Sequence, residues 1–195
     1  MILVAYKRVE GTRAELEATA RHAFPSLKND DYLGEILARK NDNSACDSCT
    51  ALLLLSHLLR ELGIDVEQLS LRRSQNGKPF FESGDIEFSI SHSRGIVAVA
   101  LSDLGAIGID VEAAKMTSDR AKMLSERYFN SSASADEFLR RWVRAEAYVK
   151  MADVTLAEGI KEKIPDNVNF RDFEIYGFPA SIAFRGDQTV RIIEM

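Results

Sequence analysis

Cysteine is scarce in this chain. Only two occur in 195 residues, and they stand together in "CDSC", Cys46 to Cys49. Two cysteines cannot build a disulfide framework in a chain of this size, which points to a reducing compartment, the cytoplasm. No apolar run approaches the roughly 18 residues of a membrane span, so no membrane partner is expected. Positive charge is not in excess either. Lys and Arg number 25 against 30 Asp and Glu, a formal net charge of −5. That excludes a nucleic-acid binder acting through its overall charge and leaves room only for a local basic patch. The opening "MILVAYKRVE" becomes charged too soon for a signal peptide and reads as a first strand. No low-complexity segment and no short-period repeat breaks the pattern.

The hydrophobic fraction is 46% and the charged fraction 28%, which suits a globular chain of one large domain or two small ones sharing a core. The "CDSC" pair has three readings. A zinc site needs two more ligands, and His57, the nearest candidate, lies roughly 16 Å from Cys46 along a helix axis. A redox pair belongs at a helix start after a strand, and no clear strand precedes it. The third reading, two small residues early in the helix that ends "TALLLLSHLLRELG", is the one adopted.

Periodicity predicts a strand at 2–9 and a helix at 12–23, with Thr12 as N-cap, Glu15 closing a capping box and Pro25 as a stop. A strongly apolar helix follows at 50–62, ended by Gly63. Short strands are expected at 69–73, 86–91 and 96–102. The strand at 106–112 should pair with the previous one through "SDLG". A long helix covers 135–151. Strands at 173–176, 181–184 and 189–193 are expected to close the chain as a meander. Interspersed helices and hairpin-linked strands indicate an α+β fold rather than a doubly wound parallel sheet.

The candidate chemistry centres on "IGIDVE", residues 107–112. Ile107, Ile109 and Val111 alternate as one buried strand face, which places Gly108, Asp110 and Glu112 on the other. Two like charges so close are mutually destabilising. Water, a basic side chain or a metal ion must offset that. On the helix "DEFLRRWVRAEAYVKMA", Phe138, Trp142, Ala145 and Val149 share one face. Glu146 and Lys150, four apart, are neighbours on another. They read either as a surface ion pair or, with Asp110 and Glu112, as a hard-oxygen magnesium site. In "SISHSRG", Ser91 and His92 end a strand. The histidine is either a turn residue bonded to its own backbone or a phosphate contact and base near neutral pH. In "NGKPFF", Asn76 and Gly77 make a stiff turn that presents Lys78, suited to a point contact with phosphate.

Taken in order, "NGKPFF", "FSISHS", "IGIDVE" and "FLRRWVRAEAYVK" resemble the motifs of the 4'-phosphopantetheinyl transferase superfamily, in its larger, monomeric, surfactin-synthetase-activator-like type. The likeness is firm over residues 71–151. It implies two similar α/β halves about a pseudo-twofold, placed at 1–104 and 105–195, with coenzyme A between them. It implies a cytoplasmic enzyme that moves the 4'-phosphopantetheine arm of coenzyme A to a serine of an apo acyl or peptidyl carrier protein, releasing 3',5'-ADP. Such an enzyme serves fatty-acid, polyketide or nonribosomal peptide synthesis. By the same likeness Asp110, Glu112 and Glu146 hold magnesium, Glu146 and Lys150 are catalytic, and Ser91, His92 and Lys78 contact coenzyme A phosphates. Carrier proteins are acidic, and Arg120, Lys122, Arg127, Arg140, Arg141 and Arg144 cluster in sequence, read either as a basic face that would meet one or as a solvated charged helix.

Three departures stand out. Ala145 replaces the lysine usual before the helix glutamate, and Ser89 replaces the asparagine of F-N-x-S-H-S. The stretch "NSACDSCTA" lacks the usual arginines, leaving Lys28, Arg39 or Lys40 to supply that grip. They motivate an alternative: a degenerate member that binds coenzyme A or a carrier without transfer.

Overall fold

The computed structural model describes residues 1–25, 31–82, 86–161 and 164–195. Lys28 lies outside them. Strand β1 (Ile2–Arg8) leads into helix α1 (Arg13–Ala23), which carries the expected capping box between Thr12 and Glu15. Helix α2 (Asp31–Leu37) follows. Helix α3 (Asp42–Glu61) begins at an Asn41 cap, so both cysteines fall within its first turns, Cys49 buried and Cys46 half-buried. Two short strands, β2 (Leu71–Arg73) and β3 (Pro79–Phe81), form a ribbon around the Asn76-Gly77 turn.

Strands β4 (Glu87–Ser93) and β5 (Ile96–Ser102) form a hairpin, and β6 (Ile107–Val111) follows. Helices α4 (Ser118–Phe129), α5 (Ala135–Ala152) and α6 (Leu156–Lys161) lead to β7 (Val168–Ile175), β8 (Phe178–Arg185) and β9 (Val190–Glu194). The architecture is mixed α+β, in sheets of order β4-β5-β1-β9, β2-β3 and β6-β8-β7.

Two pairings differ from expectation. Strand β6 does not pair with β5, because β5 lies between β4 and β1 and both its edges are taken. Instead β6 joins β8 antiparallel. The closing meander stops after β7 and β8. Strand β9 returns to the free edge of β1 and pairs with it in parallel, Val4 opposite Ile192.

The four-stranded sheet is covered on both faces, which is why β1 and β5 are almost continuously apolar. On one side Leu3, Val99 and Leu101 pack against Leu52, Leu55 and Leu59 of α3. On the other, Val4, Ala98 and Ala100 meet Ile107, Ile109 and Ile182 of the three-stranded sheet. Helix α5 covers the far face of that second sheet through Ala147, Tyr148 and Met151. The alternation read in "IGIDVE" is therefore real. Its isoleucines face the first sheet, and Gly108, Asp110 and Glu112 face α5.

Gly108 sets how close α5 can come. A Cβ there would stand 1.9 Å from the Ala147 carbonyl oxygen and 2.5 Å from the Met151 nitrogen. Both are helix backbone atoms that cannot swing aside. Gly108→Ala should push α5 off the sheet and cost about 1–3 kcal/mol or more. The check is a denaturant melt followed by Trp142 fluorescence. A midpoint equal to the parent's would show that the helix does not sit this close.

Candidate functional site

The free edge of β6 explains the site. Strand residues alternate in the direction of their amides, and β8 takes one set, as when Glu112 N–H donates to the Pro179 carbonyl at 3.1 Å. The other set points outward and must be satisfied, since an edge strand otherwise leaves polar groups bare. Serines of β4 do this. The hydroxyls of Ser89, Ser91 and Ser93 accept from the N–H groups of Ile109, Val111 and Ala113 at 3.1, 3.2 and 3.0 Å. The offset is constant, so β4 and β6 run side by side in parallel, joined through serine side chains instead of a backbone ladder. Two lysines cap the outward carbonyls of the same edge. Lys78 Nζ donates to the Ile107 oxygen at 3.3 Å and Lys150 Nζ to the Ile109 oxygen at 3.1 Å.

The same serines hold the carboxylates. Ser91 Oγ donates to Asp110 Oδ1, and Ser93 Oγ donates to Glu112 Oε1, each at 2.7 Å. Lys150 Nζ also donates to Asp110 Oδ1 at 2.7 Å. The i,i+4 spacing suggested Glu146 as the partner of Lys150. The ammonium instead reaches across to Asp110, whose side chain is only 9% exposed. The repulsion in "IGIDVE" is thus offset here by a lysine and two hydroxyls. Glu146 makes no hydrogen bond or ion pair among the described residues. Burial holds its carboxyl above the usual carboxylate range, with Asp110 and Glu112 adding to the rise and Lys150 opposing it.

Ser91, His92, Asp110, Glu112, Glu146 and Lys150 line one open hollow of about 300 Å3, with Trp142 as an aromatic wall. Six of the seven sequence-predicted site residues therefore meet. Lys78 does not line it. Its ammonium, on a side chain 13% exposed, lies at the foot of β6, 3.4 Å from Glu87.

Among the described residues no three His, Cys, Asp or Glu side chains close on a common point. The donor chemistry nonetheless fits a hard cation. Ser91 and Ser93 occupy one oxygen of each strand carboxylate, and the other, Oδ2 of Asp110 and Oε2 of Glu112, makes no hydrogen bond among the described residues. Glu146 stands unpaired on the same hollow. Three oxygen donors of this kind suit magnesium, which keeps several waters and takes few carboxylates.

Sequence reasoning missed Asp47. It sits on α3 with its Oδ2 3.4 Å from His92 Nδ1. Burial dominates both groups, pushing the Asp47 carboxyl up and the His92 imidazole down from their ordinary values, against the attraction each exerts on the other. The pattern that could have found it is local: Asp47 is the one charge between Cys46 and Cys49. Of the cations proposed to replace the missing arginines, Arg39 is engaged by the Ser44 carbonyl and the hydroxyls of Ser44 and Ser48. Among the described residues the cysteines belong to no metal-holding group, and burial raises both thiols, that of Cys49 to about 11, so neither is poised as a thiolate.

A second hollow of about 350 Å3 opens beside the first and shares Glu112 and Trp142 with it. Met116, Leu124, Tyr128 and Phe138 line it, and Arg94, Lys115 and Arg120 are cationic among its walls. The basic run behind it is partly spent. Arg140 pairs with Asp136 and Glu174, Arg144 pairs with Asp172, and Arg141 donates to the Ser131 hydroxyl.

Fold and site together describe an α+β protein with a carboxylate, lysine and histidine cluster at the junction of two sheets. No protein-family model matches the chain. It is similar to the 4'-phosphopantetheinyl transferase gsp of Aneurinibacillus migulanus, 30% identical over 110 residues, which is 51% of this chain and 44% of that protein. It is 33% identical to the 4'-phosphopantetheinyl transferase HetI of a Nostoc species over 114 residues, 50% of this chain and 47% of that one. It is also 33% identical to the 4'-phosphopantetheinyl transferase AcpT of Salmonella typhi over 88 residues, 39% of this chain and 45% of that protein. The chain spans about half the length of the curated relatives it matches. Each of these three relatives is named a 4'-phosphopantetheinyl transferase.

Proposed function

We propose that the chain transfers the 4'-phosphopantetheine arm of coenzyme A to a serine of an apo acyl or peptidyl carrier protein. The observation that carries this reading is the meeting of Asp110, Glu112, Glu146 and Lys150 on one hollow with Ser91 and His92. That is a set of acceptors and donors matched to a diphosphate and its counterion. The halves 1–104 and 105–195 would meet along the serine-joined edge, with the pseudo-twofold between them, and a single chain would carry the whole site as a cytoplasmic monomer.

In this reading Asp110, Glu112 and Glu146 would hold Mg2+, which supplies charge neutralisation and a template at the diphosphate. Lys150, steered by Asp110, presents its charge to the phosphate oxygens. His92, at the edge of the hollow, contacts the coenzyme as a hydrogen-bond donor. The carrier serine oxygen attacks the β-phosphorus, which carries the pantetheine. The bond from that phosphorus to the bridging oxygen breaks, and 3',5'-ADP leaves with the electron pair. Glu146 takes the serine proton, directly or through water. Positioning and electrostatics supply the rate, as in other phosphoryl chemistry. The second hollow, with Lys115 and Arg120 beside Met116 and Leu124 among its walls, suits the acidic, amphipathic surface of a carrier.

The test is incubation of the purified protein with coenzyme A, Mg2+ and a panel of apo carriers. A mass gain of one phosphopantetheine arm on a carrier is expected. Binding with no gain would leave a non-transferring member of the family. Phosphate released in the absence of carrier would mean a phosphohydrolase.

A further inference from the structure

We propose that Ser93 is a positioning residue that fixes the Glu112 carboxylate for a divalent cation. The inference rests on the reading above. A hydroxyl has one proton to give and lone pairs to receive. Ser93 uses both. It accepts from Ala113 N–H at 3.0 Å, which locks β4 to β6, and it donates to Glu112 Oε1 at 2.7 Å. Asp110 has Lys150 as well as Ser91. Glu112 has no cationic partner among the described residues; Ser93 and the Ala114 N–H, at 2.9 Å, are what hold it. Both bind the same oxygen. The other oxygen is thereby turned away from the protein's own donors. One hydroxyl thus couples the spacing of the two sheets to the aim of a carboxylate.

The ladder contains its own control. Ser89 accepts from Ile109 N–H in the same way, but it donates to no carboxylate among the described residues. Removing Ser89 costs one junction bond and leaves both carboxylates held. Removing Ser93 costs a similar bond and frees Glu112 except for one backbone amide. A purely structural role predicts equal consequences for the two. A positioning role predicts different ones.

The experiment measures Mn2+ affinity directly, from the electron paramagnetic resonance signal of free Mn2+, with and without coenzyme A. It compares the parent with Ser89→Ala, Ser93→Ala, Ser93→Thr and Ser93→Cys. Ser93→Ala should weaken Mn2+ binding by about 10–100-fold, the usual effect of losing a hydrogen bond that orients a ligand. Ser93→Thr keeps the hydroxyl and should bind within a few-fold of the parent. Ser89→Ala should bind like the parent while melting at a lower temperature. Ser93→Cys, close in volume but a poor donor, should follow Ser93→Ala and serves if the alanine variant does not fold. Parent-like affinity in Ser93→Ala or Ser93→Cys overturns the inference alone, and so does an equal loss in Ser89→Ala. A parent that binds no Mn2+ overturns the metal site itself, and the role of Ser93 with it.

Discussion

Asp110→Ala should abolish transfer and also lower the melting temperature of the metal-free protein. From the sequence alone the second result has the opposite sign, because deleting one of several crowded carboxylates relieves repulsion. The structure reverses it. Asp110 is buried, accepts from Ser91 and pairs with Lys150, whose side chain is 27% exposed. Among the described residues, its removal leaves that ammonium with only the Ile109 carbonyl, and it leaves the Ser91 proton without its acceptor. Breaking a partly buried charge-assisted network costs about 1–3 kcal/mol. For a chain of this length each kcal/mol lowers the melting temperature by roughly 2–4 °C. Asp110→Asn, which keeps the shape and one acceptor oxygen, should melt between the two and remain inactive. A metal-free Asp110→Ala protein that melts above the parent would mean that Lys150 does not pair with Asp110 in solution. Turnover near the parent's at ordinary magnesium would remove Asp110 from the site.

What could be read from the sequence was local. The period of two in residues 107–112 placed Asp110 and Glu112 on the face opposite the isoleucines, and α5 covers that face. The capping box at Thr12 and the long apolar stretch of α3 were equally legible, because caps and periodicity depend on residues within one turn. The motif order brought Ser91, His92, Asp110, Glu112, Glu146 and Lys150 to one hollow. What failed was pairing across the chain. The "SDLG" turn promised a hairpin, but β5 was already flanked by β1 and β4. Glu146 and Lys150 are one helical turn apart, yet Lys150 finds a better-placed acceptor 40 residues away once Gly108 lets α5 approach. Charges adjacent in sequence read as one basic face, but Arg140 and Arg144 turn to Glu174 and Asp172 on β7. The serine ladder has a period-two signature, Ser89, Ser91 and Ser93. No spacing rule says that its partner is the edge of a strand in another sheet.

Glu146→Gln should lower turnover by about 10²-fold or more while leaving the fold intact. The change keeps shape and an oxygen but removes charge and basicity, and a positioned general base contributes on that scale. Lys150→Ala should weaken transfer without removing its metal dependence. Because Lys150 is bonded to Asp110 and not to Glu146, the two helix residues should couple weakly in stability. A double-mutant cycle should give about 1–2 kcal/mol for Asp110 with Lys150 and less than about 0.5 kcal/mol for Glu146 with Lys150. The reverse order would restore the i,i+4 pair. Protonation gives a further handle. Burial holds the Glu146 carboxyl above its ordinary value of 4.5, so the folded, metal-free protein binds that proton more tightly than the unfolded chain does. Its contribution therefore favours folding at low pH and is lost as pH rises from about 4.5 through the folded value. Melting temperatures across that range should fall with pH more steeply in the metal-free parent than in Glu146→Gln, since glutamine has no proton to lose. Added Mg2+ should shrink the difference in the parent, because a cation among Asp110, Glu112 and Glu146 favours the ionised form. Identical pH profiles for parent and Glu146→Gln would show that Glu146 titrates as an exposed glutamate and is not held in the hollow.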